Sequence, residues 1–159
     1  MTETKQQYDQ LSDEAARELG HIHFEFSNLD MDIGLALVWS HEHGKVKSLT
    51  EKVSKLNFNS RVELLGNYAQ EKYSLSPRVL NGYKSWIEDA HSIRELRNRF
   101  FHGRWGFIPQ DNLVANVVGL PTSREQSSQH FTIGELRETR KAIRGLRSRL
   151  NTLRKETPV

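Results

Sequence analysis

Hydrophobic positions recur at helical intervals over most of the chain. Ile22, Phe26, Leu29, Ile33, Ala36 and Leu37 form the first clear stripe, with spacings that place apolar groups on one face of a helix. That helical run begins at about Asp9, after residues 1–8, which read as a flexible polar tail. Gly20 is a candidate break within it, and His43-Gly44 supplies a glycine exit. Ser48-Leu49-Thr50-Glu51 has the form of a capping box opening the next helix. Val53 and Leu56 face inward there, Asn57–Ser60 interrupts, and Val62, Leu65, Tyr68 and Ala69 resume the period to about Tyr73. Ser76-Pro77 is a fresh start, because serine caps and proline suits the first helical position. The helix from Pro77 to about Phe101 carries Val79, Tyr83, Trp86, Ala90 and Ile93 on one face.

Residues 103–131 break this pattern. Gly103, Gly106, Pro109, Gly119 and Pro121 punctuate the segment, and Leu113–Val118 is its convincing strand. Trp105–Ile108 or Ser128–Phe131 supplies a partner, giving a small hairpin or three-stranded flap. Thr132-Ile133-Gly134-Glu135 is a second capping box, and Leu136, Ile143, Leu146, Leu150 and Leu153 form the core stripe of the last helix. The fold expected is all-α: an up-and-down helical bundle over 9–155, in one domain, with a β-hairpin flap (103–131) inserted before the last helix.

Charge is unevenly distributed. Residues 1–90 hold 10 Lys/Arg against 14 Asp/Glu, and residues 91–159 hold 13 against 6, so a net of −4 precedes a net of +7. A polyanion is therefore drawn to the C-terminal part, although a surface balanced between two halves of one domain accounts for the same numbers. The absence of cysteine excludes a disulfide scaffold and a thiolate metal site. His21/His23 and His41/His43 are spaced at i,i+2, which turns their rings to different helix faces, so no metal or other cofactor is expected. No apolar run approaches membrane-spanning length and the first residues lack a signal-peptide core, so the expectation is a cytoplasmic protein with no membrane partner.

The segment Ile93–Trp105 concentrates the chemistry. Continuing the apolar stripe reaches position 97, which is arginine, and a guanidinium carried toward a packed face must be paired, reach solvent or face a pocket. Asn98 and His102 are i,i+4 neighbours. Arg97 and His102, five residues apart, lie about 140° around an ideal helix and converge only if the turn loosens before Gly103.

Arg97-Asn98-Arg99-Phe100-Phe101-His102 resembles the Arg/His signature of HEPN-superfamily domains, at the end of a long helix and ahead of a flap and a capped terminal helix. The resemblance implies a HEPN-like bundle acting as a metal-independent endoribonuclease, with two motifs meeting at the cleft of a homodimer. It assigns Arg97 as the motif arginine, Asn98 as the adjacent polar residue and His102 as the catalytic histidine. Several toxin-type members carry a tyrosine two residues after the histidine; here that position is Arg104. An antitoxin or other protein partner, and a place in toxin–antitoxin or defence systems, belong to the same resemblance.

The residues themselves support such chemistry. RNA supplies its own 2′-hydroxyl nucleophile, so cleavage needs proton transfer and donors for the crowded phosphate. An imidazole titrating near neutrality can transfer the proton, and a guanidinium fork and an amide can bind phosphoryl oxygens. One histidine does not readily serve as both acid and base, which is a physical reason for pairing two copies. Arg94, Arg99 and Arg104 are candidates to guide the RNA backbone, joined by Arg137 and Arg144 on the cationic face of the last helix. Trp86, Phe100 and Phe101 read as core or subunit-interface aromatics, and Trp105 comes nearest to a stacking platform. Two other readings stay open: a non-catalytic helical interaction module, and an RNA-binding protein that leaves RNA intact.

Overall fold

A computed structural model describes residues 2–40 and 45–159, with side chains from Thr4 onward. The described chain forms α1 (Thr2–Val38), α2 (Val46–Val53), α3 (Phe58–Tyr73), α4 (Pro77–His102), β1 (Arg104–Ile108), β2 (Leu113–Val118), β3 (Ser127–Phe131) and α5 (Ile133–Glu156). This is a helical bundle with a three-stranded antiparallel sheet, ordered β1-β2-β3, inserted before the last helix. Both candidate partners of the central strand pair with it: Trp105 lies opposite Asn116, and Val114 opposite Phe131.

Local signals explain most boundaries. Asn57 caps α3 by accepting a hydrogen bond from Ser60 N at 2.9 Å. Thr132 and Glu135 cap α5 reciprocally: Thr132 Oγ1 accepts from Glu135 N, and the Glu135 carboxylate accepts from Thr132 N at 2.7 Å. The Ser48 box does not open α2. That helix starts two residues earlier, and the Ser48 hydroxyl donates to the Lys45 carbonyl from inside its first turn.

The start of α1 is a further correction. Residues 2–8, expected as a flexible tail, are helical, and Tyr8 meets the Phe107 ring edge-on at 5.2 Å. That contact anchors a polar segment whose own composition offers little reason to order. Nor does Gly20 interrupt α1. A single glycine costs a helix only about 1 kcal/mol, which neighbouring turns absorb. The helix ends at Val38; the exit expected at His43-Gly44, and the histidines at 41 and 43, lie outside the described residues.

Contacts divide the chain, read from sequence as a single domain, into two units: Met1–Phe26 with Arg94–Ala142, and Ser27–Ile93 with Ile143–Val159. In the first, Leu11, Ala15, Ile22, Val114 and Leu136 are buried, and Phe100, Trp105 and Phe131 form a ring cluster with centroids 5.1–6.1 Å apart. Trp105 also donates its indole N–H to the Phe100 carbonyl at 3.0 Å. It is thus committed to joining the sheet to α4 and is no open stacking platform.

In the second unit Leu29, Ile33, Leu37, Leu65, Tyr83, Trp86, Ile143 and Leu150 are fully buried. Trp86 completes its indole hydrogen bond on the Leu146 carbonyl, so a large apolar surface is buried with no polar group orphaned. Tyr73 and Tyr83 stack and donate to the carbonyls of Pro158 and Thr157, each at 2.7 Å, holding the residues that follow α5. Among the described residues no helix is long and apolar enough to cross a membrane.

Candidate functional site

Within the first unit, the last three turns of α4 place Arg94, Arg97, Asn98 and Phe101 at i, i+3, i+4 and i+7, on one face of the helix. The half-buried Arg97 guanidinium lies against two aromatic rings, 5.2 Å from the Phe26 centroid and 4.8 Å from that of Phe101. Its Nη1 donates to Asn98 Oδ1 at 3.2 Å. Among the described residues it has no carboxylate partner, and its buried Nε has no hydrogen-bond partner. The ring quadrupoles offset part of the desolvation of the charge without neutralising it.

His102, the last residue of α4, is exposed, and its side chain makes no hydrogen bond or ion pair among the described residues. Nor does any such bond join it to Arg97. The helix stays regular through His102, so the ideal angular separation of the two persists, and Asn98, not the imidazole, is the arginine's immediate neighbour. Gly103 turns the chain immediately afterwards, its N–H still bonded to the Arg99 carbonyl.

The other cations differ in how far they are engaged. Arg94 is 4.0 Å from Glu95, a loose pair at the surface. Arg99 donates to the carbonyls of Asn116 and Ser127 and to the Ser127 hydroxyl, tying the helix end to β2 and β3. Arg104 is exposed and donates to the Gly119 carbonyl at 3.0 Å. These carbonyls hold Arg99 and Arg104 in place and leave their charge unneutralised.

Arg137 behaves otherwise. Its Nε bonds Glu18 Oε1 at 3.2 Å, and Arg140 stands 3.2 Å from the other oxygen of the same nearly buried carboxylate. Its charge is therefore used inside the first unit. Arg144 belongs to the second unit and is exposed. The structure thus groups Arg94, Arg97, Asn98, Arg99, His102 and Arg104 along the end of α4 and the first residue of β1. Arg137 and Arg144 lie on α5.

Phe101, expected in a core or subunit interface, is 43% exposed, whereas Trp86 and Phe100 are core. Beside Phe101 stands His23, with centroids 5.0 Å apart, and next to it Phe24, which is 63% exposed and also touched by His21. Sequence reasoning passed over Phe24. Its signal was that it falls between Ile22 and Phe26, out of phase with the apolar stripe. Two buried polar residues were passed over as well. Glu18 stands on the stripe at the Leu11-Ala15-Glu18-Ile22 spacing, and Asn116 alternates with Val114 on the inner face of β2.

Another cleft in this unit, about 240 Å³, is lined by Gln7, Gln10, Leu11, Glu14, Pro109 and Asn112. Its one charged group is a carboxylate, which is unsuited to phosphate. Among the described residues no three His, Asp or Glu side chains gather as a metal site. Comparisons of the chain with family models, with curated proteins and with solved structures find no match.

Proposed function

We propose that the chain is a metal-independent endoribonuclease of HEPN type, with Arg97, Asn98 and His102 as its reacting set. The observation that carries this reading is the state of Arg97: a half-buried guanidinium held by two rings and an amide, with no carboxylate among the described residues to neutralise it. A charge kept in that condition, on a helix that ends in an exposed imidazole five residues on, is suited to an anion, and the phosphate of RNA is one whose cleavage an imidazole promotes. Arg97 would bind the non-bridging oxygens, with Asn98 free to donate through its amide NH2. His102 would take the 2′ proton or protonate the 5′-leaving oxygen, giving a 2′,3′-cyclic phosphate and a 5′-hydroxyl. The complementary proton transfer would come from His102 of a second copy, so the active form is a homodimer.

The test is cleavage of RNA by purified protein in the presence of EDTA, with end-group analysis of the products. His102→Ala should lower the rate at least about 100-fold and Arg97→Ala by a similar factor, both with wild-type circular dichroism. Intact RNA at every pH from about 5.5 to 8.5 overturns the enzyme reading.

One feature of the second unit favours a different reading, a helical interaction module. Met31, Leu35 and Trp39, spaced by four, are 52%, 40% and 58% exposed and border an apolar groove of about 300 Å³ with Val38, Val46 and Val53. Under that reading Trp39→Asp abolishes self-association in solution, and RNA is neither bound nor cut.

A further inference from the structure

One of the two rings against Arg97, Phe101, begins a series within the first unit whose Phe101, His23 and Phe24 members are exposed. From Arg97 the contacts pass to Phe101 at 4.8 Å, then to His23 at 5.0 Å, then to Phe24 at 6.3 Å, with His21 6.4 Å beyond. Single exposed hydrophobic residues are ordinary and need no explanation. Two open phenylalanines joined through His23, ending at a cation with no carboxylate partner among the described residues, are a different object. Aromatic faces alternating with basic groups match what a nucleic-acid strand presents once its bases are unpaired, a π-face beside each phosphate. A duplex hides those faces in its own stack and offers the same surface only phosphates and sugars.

We propose that Phe24, His23 and Phe101 form a base-stacking subsite continuous with the Arg97 phosphate site, so that the substrate is an RNA strand unpaired at this point. The inference rests on the nuclease reading for the identity of the polymer and adds what selects it. Charge at the rings favours this occupant: Arg97 lies against Phe101, and Arg94 shares with it the helix face that carries that ring, which suits a polyanion better than a second apolar surface. The phenylalanines supply stacking area, while His23 bridges them and adds a ring of its own.

The experiment compares binding of three short probes by fluorescence anisotropy: a single-stranded oligoribonucleotide, the same strand as a perfect duplex, and an abasic ribose-phosphate strand of equal length. Wild-type protein should bind the base-bearing strand about tenfold more tightly than the abasic strand. Phe24→Ala should erase that preference while leaving duplex affinity unchanged, and Phe24→Tyr should retain it. Phe24 is well exposed, so its truncation does not threaten the fold. Arg97→Ala should weaken base-bearing and abasic strands alike.

Equal affinity of wild-type protein for base-bearing and abasic strands overturns the subsite. So does a Phe24→Ala variant that changes oligomeric state and not base preference, because the patch is then a contact between copies. These outcomes are separable from failure of the nuclease reading, which is judged by cleavage. A protein that prefers bases and never cuts keeps the subsite and loses the enzyme; one that cuts through His102 without preferring bases does the reverse.

Discussion

A Cβ at Gly103 would stand 2.5 Å from both Asn116 amide atoms and 2.8 Å from the Arg99 carbonyl oxygen. The glycine is needed here for room, since the end of α4 passes directly over a buried side chain of β2. Gly103→Ala should therefore lower stability by about 1–3 kcal/mol in urea unfolding. Adding Asn116→Ala should recover part of the loss, because it removes the side-chain conflict and leaves the one with the backbone. Tyr83 gives a second measurement at this scale. Burial raises its phenol to a pKa of about 12, helped by the neighbouring Tyr73, which burial also raises. The unfolded chain releases this proton near pH 10 and the native protein holds it to about 12, so the unfolded state binds fewer protons across that window. Stability is thus complete below pH 10 and falls as pH rises toward 12. Tyr83→Phe should lose about 1 kcal/mol at neutral pH with its hydrogen bond to Thr157, and show a shallower alkaline decline. Thermal unfolding followed from about pH 9 to 11.5 checks both effects.

At the scale of elements, Glu18 is the clearest case of a helix-to-helix tie. Its side chain on α1 is 6% exposed and meets Arg137 and Arg140 of α5. Glu18→Ala leaves Arg140 without its counter-charge and Arg137 with its longer contact to Glu14 at 3.9 Å, and should destabilise by about 3 kcal/mol, the lower end for a broken buried pair because Arg137 is half exposed. Arg137→Ala should cost less than that, since Arg140 remains; chemical denaturation of the two variants decides the order. The same elements explain what could be read from residues alone. The capping pair Thr132/Glu135, the Ser76-Pro77 start and the Leu113–Val118 strand were legible because each is decided within a few residues. The first turns of α1 and the continuity through Gly20 were not, because Tyr8 is ordered by Phe107, about a hundred residues away. The Ser48 box failed for a related reason: the local motif was present, but its hydroxyl found the Lys45 carbonyl from within the helix. For the candidate site, Arg97, Asn98 and His102 were readable from motif and phase. The rings that hold Arg97 came from α1, and only tertiary structure brings them to α4.

Over the whole molecule, the sequence places a net of +7 in residues 91–159, and how much of it reaches a polyanion depends on what those cations already touch. On α5, Arg137 and Arg140 meet Glu18, Lys141 meets Glu138, Arg147 meets Asp32 and Arg149 meets Asp89. The acidic surplus of residues 1–90 is thus spent largely against the basic surplus of the last helix. The cations of α4 and β1 are not spent this way: Arg97, Arg99 and Arg104 rest on rings or carbonyls, and Arg94 has only a loose pair. Four phosphate contacts imply that log K for a single strand falls against log salt with a slope of about −3, since each releases about 0.7 of a counterion. The whole α5 face would imply a slope roughly twice as steep. Arg97→Ala should make the slope shallower by about 0.7, and Arg137→Ala should leave it unchanged while lowering stability. Anisotropy titrations between about 50 and 200 mM salt measure both quantities together. If Arg137→Ala flattens the slope as much as Arg97→Ala does, the strand runs along α5, and the end of α4 is not where the phosphates are held.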